Sequence, residues 1–375
     1  MDAPAQAQVD LSVVRDNVAG LRKHVGTGGT ELMAVVKSDA YGHGMIPVAK
    51  AALAGGAGWL GVIRAGEALA LREAGLTAPV LCLMSVPGGP HEEAIRQDVD
   101  LAASSAGMVA ELAAAAQRAG RPARVHLKVD TGMSRGGATM PDWPGVVAAA
   151  LAAQAVGHLV IVGIWSHLAC ADMPGHGSID AQLTVFREAL AVAEAAGARP
   201  QIRHLANTPA TLTLPQTRFD LVRCGGGVVG LPTLPGPMPG WLRPAMTVRA
   251  RLVQVKQVPP GAGVSYGHRY VTSSQSTLGL VPLGYAEGVP RDASGLVQVY
   301  ARGRRWFIAG TVSMNQFVMD FGAEPAAEGD EVLLFGPGDD GEPTAQDWAE
   351  ALGTISYEIA TRFGGRLPRR YLGVA

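Results

Sequence analysis

Lys37 stands directly after the apolar run Met33-Ala34-Val35-Val36, where a buried strand should leave the core. An amine at a strand's end has a definite chemical use. Apolar walls lower its pKa, and the neutral form attacks carbonyls to give Schiff bases. A solvated lysine that merely ends a strand is the plainer alternative for so short a run. Other polar residues follow apolar runs in the same way: Lys128, His167, His204 with Asn207, and Arg223. Gly225-Gly226-Gly227 comes next, a stretch whose backbone N–H groups can approach a phosphate, or simply a turn. Asn207-Thr208-Pro209 opens a predicted helix, a place that suits a bound anion and equally an ordinary N-cap.

Residues so far apart in sequence need a frame that gathers strand ends. Strands are predicted at 31–37, 59–63, 80–84, 100–103, 124–130, 161–166, 202–205 and 219–223, with helices at 65–74, 108–119, 143–153 and 180–196 between them. Asp10 is the expected N-cap of a first helix over 11–25, which Gly26 to Gly29 end. Eight strands, each followed by a helix-like stretch, give the count of an α/β fold of the (β/α)₈, TIM-like kind. A doubly wound open sheet competes. The barrel is preferred because strand C-termini converge there on one mouth. From about Gly240 apolar alternation takes over, at 246–258, 278–282, 296–299 and 331–335, so a C-terminal, mostly β domain is expected. The Pro-rich stretch 231–239 marks the boundary. Domains are therefore expected at 8–239 and 240–375, the second of which can also take in residues 1–7.

Composition narrows the function. With 375 residues and 48% hydrophobic content the chain can bury the cores of two domains. A net charge of -1 without a long basic block gives no electrostatic footprint for nucleic acid or an anionic membrane, which leaves small-molecule chemistry. Cys82, Cys170 and Cys224 are odd in number and widely spaced, so no disulfide framework or metal site is expected, and a reducing cytoplasm fits. The N-terminus lacks the pattern of a secretory signal. Residues 146–165 carry no acidic or basic side chain over a membrane-spanning length, but Gln154, Gly157 and His158 interrupt them. They are read as a helix running into a buried strand.

Lys37-Ser38-Asp39-Ala40-Tyr41-Gly42-His43-Gly44 resembles the lysine motif of the alanine racemase family, fold type III enzymes that use pyridoxal phosphate (PLP). The likeness recurs in order in further blocks, among them His126 to Arg135, Trp165-Ser166-His167, Val222-Arg223-Cys224-Gly225, Gly263 to His268, Gly284 to Gly288, Val312 to Gln316 and Thr354 to Glu358. The resemblance implies a PLP site made by Lys37, Tyr41, Arg135, His167, Asn207, Thr208, Arg223, Gly225, Gly226 and Tyr357. It implies Lys37 and Tyr266 as the catalytic pair, Arg135 and the Met314 backbone as substrate contacts, and Tyr285 and Asp172 in the entryway. Lys128 is expected to be carbamylated and to orient Arg135, since two bare cations would repel. A head-to-tail homodimer follows, because in the family this tyrosine reaches the partner's barrel.

Two physical arguments support racemisation. A guanidinium at Arg223 disfavours a proton on the pyridine nitrogen, so the substrate carbanion is short-lived and a proton returns to Cα; a carboxylate there would favour transamination or decarboxylation. Inversion also needs proton donors on opposite faces of a planar carbon, Lys37 on one and Tyr266 on the other, the latter serving the L-isomer. Some residues depart from the family pattern: Glu287 and Asn315 where Asp is usual, Thr311 where an arginine is common, and 226–230 without the usual aromatic. The expected function is interconversion of L- and D-alanine, which supplies a peptidoglycan precursor. A serine or broad-specificity racemase, or a non-catalytic PLP-binding protein, is the alternative.

Overall fold

Ala5, Ala7 and Val9 alternate with Gln6, Gln8 and Asp10 and make a half-buried strand, β1 (Ala5–Asp10), which the sequence reading did not anticipate. The computed structural model describes residues 4–373. Asp10 then caps the helix Leu11–Val25, its Oδ1 accepting from the Ser12 N–H at 2.9 Å.

Eight strands form one parallel sheet: β2 (Glu31–Val35), β3 (Trp59–Val62), β4 (Val80–Cys82), β5 (Val99–Ala103), β6 (Ala123–Lys128), β7 (Leu159–Trp165), β8 (Ile202–His204) and β9 (Leu221–Cys224). Their order runs from β8 down through β2 to β9. The two ends of the sheet then meet, as Asp220 N donates to Arg203 O and Arg223 N to Ala206 O, both at 3.0 Å. The sheet is thus a nearly closed barrel, and the open doubly wound alternative is excluded. Residues 146–165 belong to the helix Trp143–Ala155 and to β7. Among the described residues no helix is long and apolar enough to cross a membrane.

Met33, Val35, Trp59, Leu81, Val162 and Leu221 fill part of the barrel interior, and a larger apolar layer lies between strands and helices. The rest of the interior is polar. Asp100, His126, His204 and Arg223, from β5, β6, β8 and β9, are all buried.

The remaining strands are β10 (Met246–Arg251), β11 (Gln254–Val258), β12 (Gly263–Val264), β13 (Tyr270–Val271), β14 (Ser276–Val281), β15 (Gln298–Ala301), β16 (Arg304–Ala309), β17 (Phe317–Asp320), β18 (Glu331–Phe335) and β19 (Arg369–Leu372). Nine strands, β1 among them, form the second sheet in the order β11-β14-β17-β16-β15-β18-β10-β1-β19. The single strand expected over 246–258 is two strands broken at Leu252 and Val253, while β16, β17 and β19 were not anticipated. β1 pairs with β10 and, in parallel, with β19, so the first and last strands of the chain lie side by side.

Candidate active site

β2 stops at Val35, two residues before its expected end, and Lys37 opens a short turn rather than closing a strand. Ser38, Asp39, Ala40 and Tyr41 all have φ between 51° and 55°, a left-handed turn built without glycine. Each such residue costs roughly 1–2 kcal/mol, so the turn must be held from outside. Ser38 N donates to Glu67 Oε1 at 2.7 Å, Met45 N to Asp39 Oδ1 at 2.7 Å, and Arg369 of β19 pairs with Asp39 and donates to Gly42 O at 3.1 Å. Burial, with the Arg135 and Arg223 cations, holds the Lys37 amine below its ordinary pKa of 10.5, against an opposing pull from Glu67.

Arg223 is the hub of the barrel mouth. Its Nη2 donates to Ser166 O at 2.8 Å and Leu205 O at 3.2 Å and lies 3.2 Å from His167 Nδ1; its Nη1 lies 3.3 Å from His204 Nδ1. A guanidinium only donates, so both imidazoles must present a bare Nδ1 to it. Among the described residues the Nε–H makes no hydrogen bond. Among the described residues no carboxylate touches the guanidinium, and burial pulls its pKa down to about 9, which leaves it cationic at neutral pH. The same burial and cation push His167 and His204 well below the usual histidine range. Lys128 and Arg223 both lie over the Trp165 ring, at 4.6 and 4.8 Å from its centroid. Burial, then Arg223 and Arg135, bring the Lys128 amine down to about 8. Arg135 is exposed and its side chain has no hydrogen-bond partner among the described residues.

Below this hub lies a cradle of small groups. Thr208 Oγ1 accepts from Gly225 N at 3.1 Å and Gly227 N at 3.4 Å, and among the described residues the Gly226 N–H between them has no partner. A Cβ on Gly225 would overlap the Tyr41 hydroxyl, and one on Gly226 the Tyr357 hydroxyl, so only glycine lets both phenols reach the backbone. The two rings meet edge to face at 5.6 Å, and burial raises both phenol pKa values, so both hydroxyls remain donors. Thr233, beside Gly226, has a buried hydroxyl with no partner among the described residues. Asn207 turns its side chain inward as the N-cap, its Oδ1 accepting from Ala210 N at 3.2 Å, so its amide oxygen is engaged by the helix.

The second-domain residues lie apart from this group. Tyr266 sits on a short 3₁₀ turn between β12 and β13 and is 71% exposed, and among the described residues its phenol makes no hydrogen bond, to Lys37 or to any other. It lines an open cleft of about 470 Å³ with Gln254, Lys256, Ser265, Ser313 and Gln316. Tyr285 and Met314 are exposed as well, on two loops joined by Tyr285 N to Ser313 O at 3.1 Å and Ala286 N to Met314 O at 2.8 Å. Asn315 Nδ2 donates to Glu287 Oε1 at 2.7 Å, so two of the unusual residues pair with each other. Asp172, exposed on the loop after β7, raises the Tyr357 phenol through its charge. Sequence reasoning passed over Trp165, Asp100 and His126. The cue for His126 was alternation along β6, where Arg124, His126 and Lys128 share one face and Val125 and Leu127 the other.

A barrel mouth that gathers a lowered-pKa lysine, a buried arginine and a glycine-lined hollow, joined to a β domain, has the architecture of a barrel enzyme with a second domain. Sequence models of the alanine racemase N-terminal and C-terminal domains match residues 9–233 and 245–371. The chain is 56% identical over 370 residues to the alanine racemase of Salinispora arenicola, covering 98% of each. It superposes with a TM-score of 0.96, at 51% identity, on the crystal structure of alanine racemase from D-cycloserine producing Streptomyces lavendulae, covering 100% of this chain and 98% of that one. The alanine racemase of Streptomyces coelicolor A3(2) gives the same TM-score at 52% identity, with 99% and 98% covered. The chain belongs to the alanine racemase family.

Proposed function

We propose that this chain interconverts L- and D-alanine by two-base proton transfer, with pyridoxal phosphate as cofactor. The family is PLP-dependent, and the residues fit the group. The free Gly226 N–H, the two unpaired phenols and the buried Thr233 hydroxyl form a donor-rich cradle that suits a phosphate, and the unpartnered Arg223 Nε–H suits a ring nitrogen acceptor. Lys37 would hold the aldehyde carbon, Tyr41, Thr208, Gly225, Gly226 and Tyr357 the phosphate, and Arg135 the phenolic oxygen, with His167 beside the ring. Asn207 shapes the cradle as the helix cap. Bound there, the cofactor draws electron density from the Cα–H bond of the amino acid.

The chain's own residues supply the rest. Lys37 Nζ, biased towards its neutral form, takes or returns the Cα proton on one face. Tyr266 Oη from a second copy of the chain serves the other, in a head-to-tail dimer that also brings Tyr285 and Met314 to the mouth. Carbamylated Lys128 pairs with Arg135 and aims it. The cation at Arg223 keeps protons off the ring nitrogen, so a proton returns promptly to Cα. Cytoplasmic residence fits the three unpaired cysteines.

The observation that carries this reading is the lowered Lys37 amine beside an Arg223 without a carboxylate partner. Relatives at 53–56% identity bear the name alanine racemase, so the broad-specificity and non-catalytic alternatives are not favoured. The test is a chiral assay with PLP against L-alanine and L-serine, together with subunit mixing. Lys37→Ala and Tyr266→Phe should each be inactive alone, and an equal, randomly paired mixture should regain about a quarter of parental activity, because about half of its dimers are heterodimers and each of those has one of two sites intact. No recovery on mixing, with heterodimers confirmed, would refute a site shared between chains.

A further inference from the structure

Behind Arg223 the barrel interior holds a second polar feature that neither binds nor faces the mouth. His204 Nε2 lies 2.9 Å from His126 Nδ1, and His126 Nε2 lies 3.0 Å from Asp100 Oδ2. Asp100 also accepts from Arg124, at 2.7 Å and 3.2 Å. Asp100, His126 and His204 are 1%, 0% and 0% exposed, so bulk solvent does not reach them. The fold makes room for them. A Cβ at Gly163 would overlap His126, and the β6–β7 register shifts between Val125 and His126. Trp165 stacks on His204 at 5.6 Å with planes 7° apart.

We propose that Asp100 is a positioning residue for Arg223, acting through His126 and His204 to fix the direction of every hydrogen bond in the barrel interior. One end of the relay is a group that can only donate, Arg223, and the other a carboxylate that can only accept. Between them, two neutral imidazoles have one consistent arrangement. His204 receives Arg223 on Nδ1 and donates from Nε2; His126 receives that bond on Nδ1 and donates from Nε2 to Asp100. The guanidinium meets only neutral acceptors directly. Among the described residues Asp100 is therefore the one carboxylate wired to it, and supplies a counter-charge two rings away. An acceptor fixed at His204 Nδ1 holds Nη1 in place and leaves the Nε–H for the ring nitrogen. The functional part of this inference rests on that role of Arg223.

The test is ¹⁵N NMR of histidine-labelled protein at neutral pH, with and without PLP. His126 and His204 should both appear as neutral Nε2–H tautomers. Asparagine at position 100 can donate as well as accept, so Asp100→Asn should let part of the population reverse, with Nδ1–H signal appearing at His204. In the same variant kcat should fall at least about tenfold, with KM for alanine within about twofold, because ground-state binding is untouched. Asp220→Asn, which removes the Arg203 ion pair outside the relay, should leave both tautomers as they are. An Nδ1–H or imidazolium form of His204 in the parent protein would overturn the proposal even if Asp100→Asn failed to fold. So would identical tautomers in parent and Asp100→Asn, or equal changes in Asp220→Asn. Because tautomers are read without turnover, failure of the racemase reading would show separately, as a parent protein that does not racemise alanine.

Discussion

The Thr311 hydroxyl donates to the carbonyl of Tyr266 at 2.9 Å, and Ser265 returns the bond, its Oγ donating to Thr311 O at 2.5 Å. Thr311 thus clamps the backbone of the tyrosine proposed as the second proton donor. Thr311→Val keeps the shape and removes the donor. It should lower kcat about three- to tenfold, the worth of one hydrogen bond, while Thr311→Ser should recover most of it. Both directions of racemisation must fall together, since the equilibrium constant is unchanged; chiral chromatography from each isomer checks this.

Gly226→Ala places a methyl against the Tyr357 hydroxyl. Overpacking of this kind costs about 1–3 kcal/mol, so the dissociation constant for PLP should rise about five- to 150-fold. Fluorescence titration of cofactor-free protein measures it. Gly66→Ala, where a Cβ meets nothing within 4 Å, is the matched control and should bind PLP as the parent does.

Lys128 titrates at about 8 in the folded chain, below its ordinary value of 10.5. The unfolded chain binds that proton more tightly, so the buried charge destabilises the native state below about pH 8. The penalty fades as pH rises from about 8 to 10.5. In bicarbonate-free buffer Lys128→Met should therefore be more stable than the parent at pH 7, with the gap in urea midpoint narrowing by pH 10. A gap that widens with pH would contradict the assignment. Added bicarbonate should stabilise the parent alone, through carbamylation of the neutral amine.

Asn315→Asp sets a second carboxylate against Glu287 in place of a 2.7 Å hydrogen bond. Repulsion would spread the loops carrying Tyr285 and Met314. KM for alanine should rise about two- to fivefold, and Glu287→Gln in the same chain should reverse most of the rise, because exposed charge pairs act weakly. Steady-state kinetics at low and high salt check it, the effect shrinking with salt.

The barrel was legible because its strands are apolar runs ending in residues with distinct chemistry: Lys37, Lys128, His167, His204 and Arg223 all follow strand signals. Strand ends were less so. β2 stops early because a left-handed turn without glycine follows it, a conformation no local propensity announces. β1 was hidden by shortness and weak composition, and its pairing partners lie more than two hundred residues away. The Asp100–His126–His204 relay escaped for the same reason, as its members come from three strands whose adjacency is a property of the closed sheet. Tyr266 could be placed in sequence, but within one chain it is 71% exposed, so its proposed chemistry calls for a second copy.

The turn at Ser38 to Tyr41 also ties the two sheets to each other. Its strain is balanced in part by Arg369, 330 residues from Asp39 along the chain, on a strand that pairs with β1 in the other sheet. The barrel therefore does not hold its own lysine turn unaided. Damage to the outer edge of the β sheet should be felt first at Lys37, long before either core is disturbed.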